Sequence, residues 1–153
     1  MPVKIEIRKA QIHDRDSIVR FQIEMAWETE HIKLDYETVI KGVEKVLNND
    51  SLGTYYIAIA GNDVAGSLLT TFEWSDWRNG TILWIQSVYV DLQYRKRGIY
   101  RMLYSYVKNM VSNNLNLKGI RLYVDVSNKG AREVYERLGM NGEHYRVFEW
   151  MKE

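Results

Sequence analysis

The order of apolar and polar positions divides the chain into strand-like and helix-like segments. Over residues 3–8 apolar and charged side chains alternate, which is the period of a half-buried strand. From Ile99 to Met110 the apolar residues recur three and four positions apart, which is the period of a helix with one buried face. Asn79 and Gly80 stand between two runs rich in aromatic and β-branched residues, so a hairpin is predicted there.

The same periods predict elements along the whole chain. The predicted strands cover residues 3–8, 55–60, 64–74, 81–90 and 122–126, with one or two more within 140–150, and the predicted helices cover residues 14–30, 35–47, 128–138 and a segment that begins at residue 99. Hairpins in the middle of the chain and helical crossovers later indicate an α/β fold, with a mixed, mostly antiparallel central sheet flanked by about four helices. The length of 153 residues, without a linker, predicts a single domain over residues 1–153.

The absence of cysteine removes disulfides, thiolate nucleophiles and cysteine-bound metals from consideration. The three histidines, His13, His31 and His144, are scattered, so no metal site is predicted. No apolar run approaches the roughly 20 residues that span a bilayer, and the first residues lack the apolar core of a signal peptide. We therefore expect a cytoplasmic, metal-free protein that makes no use of a membrane.

The net charge of +1 conceals an uneven distribution of charged residues. Residues 92–124 contain seven Lys and Arg but no Asp or Glu, whereas the first fifty residues contain ten acidic ones. One segment therefore suits an anionic ligand and the other a cationic one, although a solvated basic helix has the same composition. Nucleic-acid binding is disfavoured, because the basic residues lack interleaved aromatic residues and the overall charge is nearly neutral.

The basic segment begins with Arg95, Lys96, Arg97 and Gly98, directly before the helix predicted from Ile99. The first N–H groups of a helix lack partners, and its dipole adds about half a positive charge at that end. A Walker loop and a GxGxxG loop are both absent from the sequence. The pattern fits a cradle for a diphosphate, with a plain basic helix start as the alternative.

A second motif, residues 128–140, combines an apolar stripe of helical period with Gly139 as a helix terminator. Tyr135 lies on that stripe. It is either a core aromatic residue or a proton donor, since tyrosine keeps its proton at neutral pH with a reference pKa of about 10. The period does not choose between these two roles.

Together the two motifs resemble the GNAT superfamily of N-acetyltransferases. Residues 88–90 followed by Arg95-x-x-Gly98-x-Tyr100 are similar to its acyl-CoA signature, Arg/Gln-x-x-Gly-x-Gly/Ala, and residues 128–140 are similar to its second motif. The order of predicted elements agrees with a GNAT-like fold over nearly the whole chain. Tyr100 departs from the family pattern, in which a small residue lets the backbone lie close to the pyrophosphate.

The resemblance implies acetyl-CoA as co-substrate. Backbone groups of the strand would pair with the pantetheine amides, those of the loop and first helical turn would hold the pyrophosphate, and Asn128 would contact the pantetheine arm. Tyr135 would protonate the departing CoA thiolate, and the acceptor amine would attack the thioester directly, without an acyl-enzyme. The implied strand residues are Val88, Tyr89 and Val90, and the implied pyrophosphate residues are Arg95, Lys96, Arg97, Gly98, Ile99, Tyr100 and Arg101.

Direct attack needs a neutral amine and therefore a base, because an amine with a pKa of about 10.4 is almost entirely protonated at neutral pH. Many family members carry a carboxylate on the strand leading to the CoA site, where this chain has Gln86. Glu73, which ends the preceding strand, is the first substitute, followed by Asp76, Glu28 and Glu24. A relay of water molecules is the alternative.

The family also implies an acceptor pocket framed by the first two helices and the hairpin loop. Carboxylates and aromatic rings there would suit a cationic amine, although aromatic residues at a hairpin end also fit packing or a homodimer contact. The candidate residues are Glu24, Trp27, Glu28, Trp74, Asp76 and Trp77. The predicted function is acetyl-CoA-dependent N-acetylation of a primary amine, which is a small amine, amino acid, polyamine or lysine side chain. The alternative, motivated by Tyr100 and Gln86, is a catalytically silent CoA-binding regulatory protein.

Overall fold

The computed structural model describes residues 3–153, which form two compact units. The first unit ends at Arg121 and the second comprises Leu122–Glu153. The strands, all in the first unit, are β1 Ile5–Lys9, β2 Thr54–Ala60, β3 Asp63–Ser75, β4 Gly80–Val90 and β5 Leu117–Arg121. The helices are α1 Arg15–Glu30, α2 Tyr36–Asn48 and α3 Ile99–Ser112 in the first unit and α4 Lys129–Arg137 in the second, and short 3₁₀ helices cover Ile12–Asp14 and Leu92–Tyr94.

The five strands form one sheet in the order β1-β2-β3-β4-β5. Neighbouring strands are antiparallel except for β4 and β5, which are parallel. A parallel pair needs a crossover connection, and α3 supplies it between β4 and β5. A mixed, mostly antiparallel sheet with four helices in the described residues confirms the predicted α/β class.

Helices cover both faces of the sheet in the first unit. Residues of α1 and α2 pack with Tyr55 and Ile57 of β2 in one hydrophobic cluster. Tyr56 lies between them in sequence and stacks on Tyr106 of α3, with ring centroids 5.3 Å apart. Because successive side chains of a strand point to opposite faces, α1 and α2 cover one face and α3 covers the other. The fully buried side chains of α3 are Ile99, Leu103 and Val107.

A bulge interrupts the pairing of β3 with β4. Ser67 pairs with Tyr89 and Leu69 pairs with Gln86, so two residues of β4 oppose one residue of β3. Ser87, one of these two, has a φ of 52°, which is in the left-handed region that residues other than glycine rarely adopt. The bulge therefore changes the direction of β4 shortly before the cationic loop.

The ladder between β4 and β5 is short. It begins with the pair Thr81–Leu117 and ends where Trp84 pairs with Arg121. In the described sheet, the part of β4 after Trp84 consequently has β3 as its single neighbouring strand.

Two predicted strands are wrong. The strand expected over residues 122–126 lies instead at Leu117–Arg121. Leu117 donates its N–H to Asn114 at 3.1 Å in the turn after α3, so the chain enters the ladder with β4 at once, before the aromatic and β-branched run. Residues 140–150, which were expected to form one or two strands, contain no strand in the structure. An alternating pattern forms a strand only where a partner strand takes up its backbone hydrogen bonds.

The remaining predicted elements are confirmed, with ends that shift by one or two residues. α2 shows why such ends are readable from sequence. Asp35 accepts a hydrogen bond from the Thr38 N–H at 3.0 Å and so caps the helix. Helix α3 begins at Ile99, the residue at which its apolar stripe begins.

Candidate active site

The cationic loop between β4 and α3 contains two residues in the left-handed region. Lys96 has a φ of 64° and Gly98 a φ of 78°. Gly98 is the N-cap of α3, and the Met102 N–H donates to the Gly98 carbonyl at 3.0 Å. The N–H groups before Met102 lie in the first turn, where helix geometry provides no carbonyl partner. This helix start therefore has the donors that an anionic group requires.

The space around this helix start is open. A Cβ added to Gly98 would have no atom within 4 Å. The side chains of Lys96, Arg97 and Arg101 are exposed, and the Arg97 guanidinium lies 5.3 Å from the ring centroid of Tyr94. Backbone donors, exposed cations and open space fit the diphosphate of a CoA molecule.

Arg95 differs from the other cations of the loop, because its side chain is held by α1 and β4. Its Nε donates to the Val90 carbonyl at 2.9 Å, and its Nη2 lies 2.8 Å from Oε2 of Glu28. The guanidinium also lies over the Tyr89 ring, 5.2 Å from the centroid. Arg95 thus links the loop to the helix on the acidic side of the molecule.

Two acidic residues of α1 converge on the Tyr89 hydroxyl. Its oxygen lies 2.7 Å from Oε1 of Glu28 and 3.1 Å from Oε2 of Glu24. A phenol carries one proton, so the shorter contact is the donated hydrogen bond. Burial and these carboxylates raise the pKa of Tyr89 above its ordinary value. Desolvation acts against ionisation of Glu28, but the hydrogen bonds from Tyr89 and Arg95 lower its pKa overall.

Arg20 extends this network to the end of β4. It lies 3.2 Å from Glu24 and 3.0 Å from Asp91, which is 5% exposed. Asp91 directly follows β4 and caps the 3₁₀ helix Leu92–Tyr94 through the Gln93 N–H. Sequence analysis missed Arg20 and Asp91; an aspartate directly after a buried strand and before a loop is the one local signal of such a cap.

Glu73, the first candidate base, has partners on both carboxylate oxygens. Oε1 accepts a hydrogen bond from the Trp84 indole at 2.8 Å, and Oε2 pairs with the Arg121 guanidinium at 2.5 Å. The Gln86 amide of β4 donates to the Thr71 hydroxyl at 2.6 Å. Glu73 is therefore held in one orientation, half-buried on the sheet.

The residues expected in the acceptor pocket fall into two groups. Glu24 and Glu28 contact Tyr89, near the end of β4. Trp74 pairs with Thr81 at the start of β4. Thr81 precedes Tyr89 by eight residues, which is about 25 Å along a strand. Asp76, in the turn, accepts the Trp77 N–H at 3.0 Å. The structure thus brings together the acidic residues of α1 but not the hairpin residues with them.

Three tryptophans expected to face the acceptor are exposed. Their exposed fractions are 57% for Trp27, 64% for Trp74 and 89% for Trp77. Trp27 makes an edge contact with His31, with ring centroids 5.3 Å apart. Trp27 is an exposed residue of α1, the helix that also carries Glu24 and Glu28.

In the second unit, the motif at residues 128–140 forms the predicted capped helix. The Asn128 side chain accepts the Ala131 N–H at 3.0 Å, and Gly139 follows α4 with a φ of 90°. Tyr135 is 8% exposed, and burial raises its pKa, so the phenol keeps its proton over a wide range of pH. Tyr135 is thus a buried aromatic residue whose phenol is protonated at neutral pH.

The described residues contain no group of three or more His, Asp or Glu side chains that could hold a metal ion. Among the helices of residues 3–153, none is both long and apolar enough to cross a membrane.

The fold and this site define a class of protein: an α/β domain in which strand β4 leads through a cationic loop into the start of a helix whose first amides have no partner within the helix. The chain belongs to the GNAT family of acetyltransferases, whose family model matches residues 10–140. Among curated proteins, none matches this chain.

Solved structures resemble the chain over nearly its whole length. A possible acetyltransferase from Clostridium difficile 630 is 42% identical, with a TM-score of 0.91 and 97% of each chain covered. The aminoglycoside N-acetyltransferase AAC(6')-Iy in complex with CoA is 16% identical, with a TM-score of 0.79 and coverage of 99% of this chain and 97% of that one. A ribosomal-protein-alanine N-acetyltransferase from Brucella melitensis biovar Abortus 2308 is 11% identical, with a TM-score of 0.79 and coverage of 97% and 100%. The protein is thus an acetyl-CoA-dependent N-acetyltransferase of the GNAT family.

Proposed function

We propose that this chain transfers the acetyl group of acetyl-CoA to a primary amine by direct attack on the thioester. The observation that carries the proposal is the start of α3, where Gly98 caps the helix without a side chain and the first amides stand beside exposed cations. The amides from Arg95 to Arg101 would hold the diphosphate there. Tyr100, in the first turn of α3, stands where the family motif has a small residue and would place a ring near the diphosphate.

The edge of β4 supports a site for the pantetheine arm. Beyond the bulge at Ser87, β4 has one neighbouring strand in the described sheet, so backbone groups of Val88, Tyr89 and Val90 suit the amides of an extended ligand. Asn128 would contact the same arm, as the family motif implies.

The proposed reaction needs one base and one acid. The amine nitrogen forms a bond to the acetyl carbon while the carbon–sulfur bond breaks, and the thiolate takes a proton from Tyr135. The nitrogen gives up a proton to Glu73 or to water held by it. Glu73 is proposed as the base because it is a half-buried carboxylate near the end of β3, and Tyr135 as the acid because its buried phenol carries a proton at neutral pH.

A cationic acceptor is supported by the acidic side of α1. Glu24, Glu28 and the exposed ring of Trp27 lie on one helix. Trp74 and Asp76 would contact the distant part of a long acceptor, because they lie at the other end of β4. Relatives of this fold include an aminoglycoside N-acetyltransferase and a ribosomal-protein-alanine N-acetyltransferase, so both small and peptidic amines are candidates.

A screen of primary amines, with release of the free CoA thiol as readout, tests the proposal. We expect turnover with at least one amine class above the rate of hydrolysis without amine. If acetyl-CoA fails to bind in calorimetry and no amine is acetylated, the proposal is overturned.

The second candidate is a catalytically silent CoA-binding regulator. It is favoured by the amide of Gln86 at the usual carboxylate position and by the occupied oxygens of Glu73. Tight CoA binding without turnover for any amine would support it. A homodimer and a cytoplasmic location stay predictions, and the mass of the protein in solution tests the first.

A further inference from the structure

The loop that leads into α3 has a backbone conformation that must be held by its surroundings. Lys96 is not glycine and yet has a φ of 64°. Such a residue is strained and persists only where neighbouring contacts fix it. The contacts that fix the loop are therefore part of the diphosphate site proposed above.

Arg95, the residue before Lys96, makes contacts with elements outside the loop. It is held at three points: the Val90 carbonyl at 2.9 Å, Glu28 at 2.8 Å and the Tyr89 ring at 5.2 Å. Glu28 is itself oriented by the hydrogen bond that it accepts from Tyr89 at 2.7 Å. The side chains of Arg95 and Glu28 are 37% and 38% exposed, so water weakens the attraction between the two charges, and the hold on Arg95 rests on the geometry of its hydrogen bonds.

We propose that Glu28 is a positioning residue for binding of the CoA diphosphate, which it supports by holding Arg95 and through it the loop before α3. This inference rests on the proposed function. It gives Glu28, a carboxylate of α1, a role in the binding of an anionic ligand.

The sign of the effect makes the inference testable. Through charge alone, a carboxylate near the loop repels the diphosphate, so its removal would strengthen CoA binding. Through its hold on Arg95, the same carboxylate strengthens CoA binding. Glu28→Gln removes the charge and the ion pair while it keeps the size of the side chain.

The experiment is calorimetry with CoA and the full chain in the absence of any amine. We expect Glu28→Gln to raise the Kd of CoA by about tenfold, in the range of coupling between residues in contact. Glu30→Gln is the matched control, because it removes an exposed carboxylate of the same helix. We expect this control to leave the Kd of CoA unchanged or to lower it slightly. If Glu28 acts in amine binding alone, Glu28→Gln leaves the Kd of CoA unchanged, and this result would overturn the inference.

A double-mutant cycle with Arg95→Gln shows whether Glu28 affects CoA binding through Arg95 or whether Arg95 affects CoA binding independently of Glu28. If Glu28 acts through Arg95, the double variant binds CoA about as weakly as Arg95→Gln alone. If the two effects multiply, or if Glu28→Gln binds CoA more tightly than the wild type, Arg95 acts without Glu28 and the inference is overturned. Arg95→Lys keeps the charge but cannot donate to the Val90 carbonyl and to Glu28 at once, so we expect it to bind CoA as weakly as Arg95→Gln.

Tyr89→Phe provides a second route if Glu28→Gln does not fold. It keeps the ring but removes the hydrogen bond that orients Glu28, so we expect a rise of about threefold in the Kd of CoA, corresponding to one hydrogen bond to a charged group at partial strength. An unchanged Kd in this folded variant would contradict the inference. Failure of the wild type to bind CoA would instead overturn the proposed function.

Discussion

Gly98 and Gly42 are two glycines with open space around them and opposite backbone requirements. A Cβ at either position would meet no atom within 4 Å. Gly98 has a φ of 78°, whereas Gly42 lies inside helix α2. A substitution by alanine therefore tests backbone conformation without a steric clash.

We expect Gly98→Ala to lower the free energy of unfolding by about 1–2 kcal/mol, the cost of a left-handed conformation for a residue with a Cβ. Gly42→Ala should raise it by about 0.5–1 kcal/mol, because alanine is the better helix former. Urea unfolding of both variants measures the difference. Equal stability of the two would mean that position 98 does not require the left-handed conformation.

Tyr135 is buried and keeps its proton at neutral pH. Both properties fit a general acid and a core residue equally well. We expect Tyr135→Phe to lower kcat by about 10²- to 10⁴-fold, the usual contribution of general acid catalysis. The affinity for CoA should be unchanged, since the ring remains. Steady-state kinetics with a good acceptor measures the loss, and Tyr145→Phe, at an exposed tyrosine of the same unit, is the control. An unchanged kcat would leave Tyr135 with a packing role alone.

At the scale of elements, Asp14 joins β1 to the start of α1. It is 3% exposed, pairs with Arg8 of β1 through contacts of 2.8 and 3.1 Å, and accepts the Gln11 N–H at 2.7 Å. Desolvation opposes the charge of Asp14, but the hydrogen bonds from Arg8 and Gln11 lower its pKa overall. Its carboxylate is thus more easily ionised in the folded chain than in the unfolded one.

A lowered pKa in the folded state means stability that is present above the pKa of the unfolded chain, about 3.9, and is lost as the pH falls further. We expect Asp14→Asn to lower the free energy of unfolding by about 2 kcal/mol at neutral pH, because it leaves Arg8 without its partner. The difference from the wild type should shrink below about pH 4. Urea unfolding over this range of pH measures it, with Asp16→Asn, an exposed carboxylate, as the control. A destabilisation that does not change with pH would exclude the ion pair as its cause.

The same scale shows which elements are predictable from sequence. The apolar stripes of α2 and α3 are local signals, so the start of each helix was predicted to within one residue. β5 was misplaced because a strand depends on its partner, and the register with β4 selects Leu117–Arg121 rather than the more β-like residues that follow. The alternation over residues 140–150 failed for the same reason.

For the molecule as a whole, the sequence predicted the class and the loop but not the contacts between distant residues. Arg95 and Glu28 are 67 positions apart, and Glu73 and Arg121 are 48 apart. Nothing in the local pattern of either residue indicates its partner, because such pairs follow from the packing of α1 and the order of the strands. The separation of Trp74 from Glu24 likewise depends on the register of β3 and β4.

The turn that joins β3 to β4 has a practical consequence. It lies at the opposite end of β4 from the cationic loop, and Trp77 within it is 89% exposed. A dye or surface tether attached there would be separated from the start of α3 by the length of a strand. Immobilisation through this turn should therefore leave the start of α3 open to solution.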